Sequence, residues 1–202
     1  MRCERGVART PRSFAHGRGA PGHTLVELLF VIGLVAVLTG MAIPHTLATL
    51  DRSRTWAATR YLAARVALAR AQAAKRSAYV ALRFEENDSG VAFGMFVDGN
   101  RNGVRTTEIE SGIDRQIEPP VLLGDLFPGV VIGLAPQTPA TQPVEMGRSD
   151  ILSFTPAGTA TAGTVYVLGK DGTQWATRVL GATARTRVLR WVPATSEWVE
   201  AF

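Results

Sequence analysis

The sequence predicts an α+β fold in which a long N-terminal helix precedes a strand-rich domain. Residues 24–43 form an apolar run with one charge, Glu27, and about 20 such residues are enough to cross a bilayer as a helix. Residues 44–78 keep a helical period, and from residue 79 short apolar segments alternate with turn residues. We therefore expect a leader over 1–22, a helix over 23–78 and a β-rich globular domain over 79–202.

The leader is basic and carries most of the chain's net charge. Residues 1–22 net +4 out of +5 for the 202 residues, which leaves +1 after Gly22. A broad nucleic-acid-binding surface is therefore not implied. Positive-inside asymmetry puts the leader in the cytoplasm and everything after Pro44 outside. Cys3 is the only cysteine of the chain, so neither an internal disulfide nor a thiol metal cluster is expected.

The helix should have a membrane part over 24–43 and an amphipathic periplasmic part over 44–78. Pro44 should kink the helix or loosen one turn. After it, small apolar residues recur at spacings of three and four, on a face that we expect to pack against the β domain: Ala58, Leu62, Val66, Ala69 and Ala73. Basic residues recur every five positions between Arg60 and Lys75, which scatters them around the helix as solvated charges.

Strand signals fill the remainder of the chain. The candidates are "YVALRF", "VAFGMFVD", "VVIGL", "ILSFTP", "TVYVLG", "QWATRVL", "TRVLRWV" and "EWVEAF". "EENDSG" separates the first two as a turn-prone segment, and "KDGT" at Lys170–Thr173 predicts a hairpin, because Asp-Gly suits a turn with positive φ. The segment 135–150 holds three prolines and is predicted to be an exposed loop.

The start of the apolar run resembles the class III signal of type IV pilins and type II secretion pseudopilins. The shared pattern is a basic leader ending in Gly22, then His23, Thr24-Leu25, Glu27 and an apolar helix that reaches Pro44. The resemblance implies that a prepilin peptidase cuts between Gly22 and His23 and that the new amine of His23 is methylated. It also implies that Glu27 and Pro44 serve filament assembly, with Glu27 facing the N-terminal amine of a neighbouring subunit. The alternative is a signal-anchored periplasmic protein.

Two features depart from the commoner pattern. His23 stands where Phe or Met is usual, and the leader of 22 residues is longer than many. Both features concern the efficiency of processing. The pattern of glycine, Thr-Leu, glutamate and proline around one apolar segment is itself complete.

The segment beyond the helix resembles the GspH/FimT-like branch of the pseudopilins. "VAFGMFVDGNRNGVR", "FTPAGTA" and "RTRVL" carry this second resemblance, which spans most of residues 55–190. It implies a long helix followed by an antiparallel two-sheet β domain, and a minor pseudopilin of a type II secretion pseudopilus or of its tip or initiation complex. Implied partners are other pseudopilins or pilins, the prepilin peptidase, an inner-membrane assembly platform and inner-membrane lipid. No cofactor is expected.

The tail holds a candidate DNA-binding surface. FimT-like competence pilins carry a G-R-x-R motif associated with DNA binding, and here Ala184 precedes Arg185 and Arg187 in place of the glycine. Arginines two apart on a strand share a face and can contact consecutive phosphates, with Arg178 and Arg190 nearby. DNA capture for natural transformation is therefore the alternative function. The structural interpretation is an outward basic strand that alternates with core Val188.

Metal binding and catalysis have weaker signals. "DGNRNG" offers Asp98, Asn100 and Asn102 as calcium ligands, but the twelfth position is Ile109 where a bidentate Glu is expected. We therefore favour a hairpin tip with Asn102-Gly103 in a tight turn over a metal site. Ser/His/Asp catalysis would need a histidine in the exported domain, which has none beyond His45 at the membrane edge. The protein is predicted not to be an enzyme.

Overall fold

The computed structural model describes residues 22–147 and 149–201, without the side chains of residues 41–45. The leader therefore lies outside the described residues. The chain divides into two compact units, an N-terminal unit, Met1–Ile43, and a C-terminal unit, Pro44–Phe202. The division falls at Pro44, where a helix disturbance is predicted, and the helix nevertheless continues through this proline.

Helix α1 extends from Leu25 to Arg76. Thr24 caps its start, because the Thr24 hydroxyl accepts a hydrogen bond from the backbone N–H of Glu27 at 3.3 Å. Thr24 and Glu27 stand at the spacing of a capping box. At the other end Ser77 has φ of 50°, a left-handed conformation that stops helices. Lys75 and Arg76 occupy the last turn, where positive charge is favourable to the helix dipole.

The β domain follows the helix. Its strands and short helices are, in chain order, β1 (Val80–Asn87), β2 (Gly90–Val97), α2 (Thr106–Glu110), β3 (Arg115–Leu122), α3 (Leu123–Leu126), β4 (Val130–Ile132), β5 (Val144–Glu145), β6 (Ile151–Phe154), β7 (Gly163–Gly169), β8 (Gln174–Leu180), β9 (Arg185–Val192) and β10 (Glu197–Glu200).

The strands of the described residues form two antiparallel sheets. The first has the order β3-β2-β1-β6, and the second has the order β10-β9-β8-β7-β4, with β5 pairing to β7 beside β4. All strand pairs are antiparallel. The predicted α+β class, a long N-terminal helix followed by an antiparallel two-sheet domain, is confirmed.

The core of the C-terminal unit joins the helix to both sheets. The five helix positions of the predicted face are at most 1% exposed, and they share one apolar cluster with Phe93 of β2 and Val167 of β7. Tyr61 of α1 also contacts the rings of Phe93 and Phe127. Because alanine and valine dominate the helix side of this cluster, the helix axis can lie close to the sheets.

Strand β3 was absent from the sequence prediction. It carries two consecutive prolines, Pro119 and Pro120, which argue against a strand because proline cannot donate to the ladder. The structure places β3 at the edge of the first sheet, where a missing donor can face solvent. Its register against β2 also shifts around Met95, which is the irregularity that prolines require.

The prediction of an exposed loop over 135–150 was wrong in part. Ala135, Thr138, Val144 and Met146 are buried, and residues 144–145 form β5. Gln174 explains the burial, because its carbonyl oxygen accepts from the Ala135 N–H at 2.6 Å and its amide donates to the Gly133 and Val167 carbonyls. One buried amide therefore satisfies the backbone of a segment that has few partners of its own.

The predicted hairpin at "KDGT" is present between β7 and β8. Gly172 has φ of 80°, and the Asp171 carboxylate accepts from the Thr173 N–H at 3.1 Å. The "EENDSG" hairpin differs from its prediction in extent. Strand β1 runs to Asn87, which pairs with Gly90, so that only Asp88 and Ser89 form the turn.

Candidate functional site

The residues of the predicted processing site lie at the beginning of α1. Gly22 and His23 precede the helix and are exposed. The Nδ1 atom of His23 lies 3.2 Å from a carboxylate oxygen of Glu27, one helical turn further on. Glu27 lies in the first turn of α1, where the helix dipole favours a negative charge.

The helix that follows Glu27 leaves its apolar side chains uncovered. Every large apolar side chain from Leu25 to Leu38 is exposed, with exposed fractions between 48% and 74%. Such a surface is unusual for a soluble monomer. Among the side chains that the structure describes, no helix is both long enough and apolar enough to cross a membrane. The side-chain surroundings of Pro44 lie outside the described residues.

The structure brings three of the four candidate arginines to one face of the second sheet. Arg178 of β8 and Arg187 of β9 are register partners, and Arg185 shares their face because it lies two residues before Arg187. Arg190 lies on the opposite face, where it pairs with Trp175 of the core.

Neighbouring side chains already engage two of these arginines. Glu145, Thr164, Arg178 and Arg187 follow one another across strands β5, β7, β8 and β9 as register partners. The Arg178 guanidinium donates to the Thr164 hydroxyl at 3.3 Å, and the Nε atom of Arg187 lies 3.6 Å from a carboxylate oxygen of Glu200. Arg178 and Arg187 are like charges directly opposite each other, which is unfavourable in a sheet. The Thr164 hydroxyl and the Glu200 carboxylate offset part of this repulsion, so the face is a polar row as much as a basic patch.

Tyr166 lies on the same face and reports its local electrostatics. Its hydroxyl donates to a carboxylate oxygen of Glu145 at 3.0 Å. Burial raises the pKa of Tyr166, the hydrogen bond and the negative charge of Glu145 raise it further, and Arg178 opposes them. Glu145 therefore raises the pKa of Tyr166 by more than Arg178 lowers it.

Ala184 occupies the position where the FimT-like motif has glycine. Its φ is 49°, in the left-handed region that glycine adopts without steric cost. The backbone conformation that favours glycine is thus kept although the glycine is missing. The side chain of Ala184 is buried in the core cluster, which offsets part of the strain.

The loop that was considered for calcium is organised by its own carboxylates. Asp98 is 7% exposed, and its two oxygens accept from the backbone N–H groups of Asn100, Arg101 and Gly103 at 2.7–2.9 Å. The amides of Asn100 and Asn102 both donate to Glu108. Within the described residues, no three His, Cys, Asp or Glu side chains are placed to hold a metal ion.

The loop is also wider than the tight turn that we predicted. It connects β2 to β3 through α2, and both Arg101 and Gly103 have positive φ. Asp114, which is 2% exposed, anchors the other side by accepting from the Gly99 and Arg105 N–H groups. Two buried carboxylates thus replace the single Asn-Gly turn of the prediction.

Comparisons with known proteins decide the family. A sequence profile described as "Type II transport protein GspH" matches residues 58–184, which is more than half of the chain. The chain belongs to the GspH family. Membership places it among the type IV pilin-like pseudopilins, which form a structural rather than an enzymatic family and are associated with membranes.

One curated relative supports the pilin-like assignment. The chain is similar to "Pilin-like protein PilA1" of Thermus thermophilus, with 43% identity over 82 residues. The match covers 40% of this chain and 50% of PilA1, so the chain spans about half the length of this relative. No solved structure matches the chain.

Sequence reasoning missed two contacts at the helix start. The hydrogen bond from the Glu27 N–H to Thr24 follows from the T-x-x-E spacing, and the contact between His23 and Glu27 follows from their separation by four residues. Both signals were present in the sequence. The pairing of Arg187 with Glu200, by contrast, depends on the register between β9 and β10, which no local pattern gives.

Proposed function

We propose that this GspH-family chain is a minor pseudopilin, a structural subunit of a type II secretion pseudopilus or of its tip or initiation complex. Residues 24–43 would anchor it in the bacterial inner membrane as a single span, with the C-terminal domain in the periplasm. The helix start carries the proposal: a capped first turn with Glu27 is followed by apolar side chains that the single chain leaves exposed. Lipid, and then the helices of neighbouring subunits, would cover them.

Processing would create the N-terminal amine with which Glu27 pairs. Gly22 and His23 are exposed and precede the helix, so a prepilin peptidase could bind the backbone between them in an extended form. Cleavage there makes His23 the first residue, with a methylated α-amine. Glu27 becomes the fifth residue of the mature chain.

Assembly would then pair unlike charges between subunits. The Glu27 carboxylate near the interface is accessible to water and lipid headgroups before assembly. Inside a filament it would meet the N-terminal amine of a neighbour at low dielectric, where opposite charges attract strongly. Removing one member of such a pair leaves a buried charge, which is strongly destabilising.

The experiment is a Glu27→Gln change, which keeps the size of the side chain and removes its charge. Membrane insertion and cleavage should stay intact, while crosslinking to neighbouring subunits falls. Glu197→Gln, at an exposed site of the β domain, is the matched control and should leave crosslinking through the apolar helix unchanged. Normal assembly of Glu27→Gln would contradict the role of the charge.

A second candidate function is DNA capture by a FimT-like minor type IV pilin. Its support is the common face of Arg178, Arg185 and Arg187. Phosphate contacts from such a face would be independent of sequence and sensitive to salt. The contacts of Arg178 with Thr164 and of Arg187 with Glu200 favour the structural role.

A further inference from the structure

Charge is unevenly divided between the helix and the strands of the C-terminal unit. Residues 44–76 carry seven basic residues and one acidic residue, whereas residues 77–202 carry ten basic and 14 acidic residues. The helix is thus strongly positive, and the β domain is negative. A division of this kind favours contact between unlike surfaces of different molecules.

A groove lies between the outer side of α1 and the beginning of β9. It has a volume of about 430 Å³, and its helix side is formed by Ala67, Ala71 and Ala74. Arg70 and Arg185 line it from the two sides, and both are exposed. Within the described residues neither arginine forms an ion pair. The groove therefore has a floor of small apolar side chains and two arginines that are not engaged in an ion pair.

An acidic hairpin tip projects from the first sheet. β6 pairs with β1 only as far as Arg83, and β3 pairs with β2 only from Ala92 onward. Residues 86–91 consequently pair only with each other, and residues 85–89 are all exposed. The tip holds Glu86 and Asp88 and no basic residue, while Glu85 beside it is already paired with Arg83 at 2.8 Å.

We propose that the acidic tip of the β1–β2 hairpin of one copy docks into the Arg70–Arg185 groove of a second copy. The proposal rests on the proposed function and names one contact of the filament subunit. Charge complementarity selects the occupant, because the projecting tip offers carboxylates only and the groove offers guanidinium groups. The alanine floor allows the backbone of a two-stranded tip to approach closely, and arginine binds carboxylates through paired donors.

The contact joins two different patches of the same chain. Such a heterologous contact fixes which side of one copy meets the next, and it leaves a free tip at one end of the pair and a free groove at the other. It would act on the periplasmic side, independently of the pairing at Glu27. Its ion pairs lie at the surface, so they set orientation and register more than they set affinity.

The test uses the full chain in its membrane, co-expressed with prepilin peptidase. Two differently tagged copies carry Ser89→Cys at the tip and Ala71→Cys in the groove, with Cys3→Ser in both. Oxidation should yield a dimer that contains both tags. Replacing Ala71→Cys with Ser111→Cys, which is exposed elsewhere in the β domain, should yield none.

Charge reversal then tests the pairing. Arg70→Glu with Arg185→Glu should lower the crosslinked fraction by roughly threefold to tenfold, the range that two exposed ion pairs supply. Adding Glu86→Lys with Asp88→Lys on the partner copy should restore it. Arg76→Glu, which changes the same charge on α1 outside the groove, should leave the fraction unchanged.

Three outcomes would overturn the proposal. They are the absence of the tip-to-groove dimer, its indifference to charge reversal, and crosslinking of the groove to a different pseudopilin alone. A Val37→Cys pair in the apolar segment reports assembly itself in the same cells. If that pair crosslinks while the tip and the groove do not, only this inference fails. If neither pair crosslinks, this inference fails, and the filament function fails as well when Val37→Cys also forms no crosslink to a different pseudopilin.

Discussion

The loop between β2 and β3 offers the sharpest choice between a structural site and a metal site. Asp98→Ala removes a buried carboxylate that accepts from three backbone N–H groups at 2.7–2.9 Å. Each lost hydrogen bond of this kind costs about 1 kcal/mol, and more where the donor stays buried. We therefore expect a loss of about 3 kcal/mol in the free energy of unfolding of the C-terminal unit.

Asp98→Asn should cost less than the alanine change. Asparagine keeps the Oδ1 atom, which accepts from Asn100 and Arg101, but turns an amide NH₂ toward the Gly103 N–H that now donates to Oδ2. A loss of about 1–2 kcal/mol follows from one broken bond and one opposed donor. Asp88→Asn, at the exposed hairpin tip, is the control and should change stability by less than about 0.5 kcal/mol.

Thermal unfolding followed by circular dichroism measures these effects. For a unit of this size about 3 kcal/mol corresponds to roughly 6–12 °C in Tm. The order alanine, asparagine, control should be the same in millimolar calcium and in chelator. A calcium site would instead stabilise the unmodified unit in proportion to the logarithm of the calcium concentration. A Tm that rises with calcium, and no longer does so in Asp98→Asn, would refute the structural account.

Two further predictions concern the outer face of the second sheet. The C-terminal unit should show at most a weak, salt-sensitive DNA gel shift, since the mature chain nets only +1. Arg185→Ala with Arg187→Ala should abolish any shift, and Arg115→Ala should not. Tight binding that survives the double change would exclude this face as the DNA site. The pKa of Tyr166 lies above its ordinary value of 10.0 because of burial and Glu145, so the stability from this environment is full below pH 10 and is lost as the pH rises through the folded pKa. Tyr166→Phe should remove that alkaline loss in a pH series of unfolding curves, and an unchanged alkaline limb would contradict it.

The features that were predicted correctly are specified by residues that lie close together in the sequence. The buried face of α1 followed from helical spacing, and the β7–β8 hairpin followed from Asp171-Gly172. The α+β class followed from the change of period after residue 78. In each case the residues that specify the structure lie within one or two turns of each other.

The missed features depend on partners that are distant in sequence. β3 is a strand because an edge of the first sheet accepts its prolines, and the segment after Gly133 is buried because Gln174, about 40 residues away, bonds its backbone. The placement of Arg187 and Arg190 on opposite faces, in contrast, follows from the sequence alone, because they lie three residues apart on one strand.

The mass of the mature chain tests the central claim most directly. Full-length protein co-expressed with a prepilin peptidase is purified from the membrane, and its N-terminal peptide is measured by mass spectrometry. The account predicts a chain that begins at His23 with a methylated amine, and no cleavage when Gly22 is replaced by a bulky residue. A chain that still begins at Met1, or one cut after Ala42, would contradict the pseudopilin account.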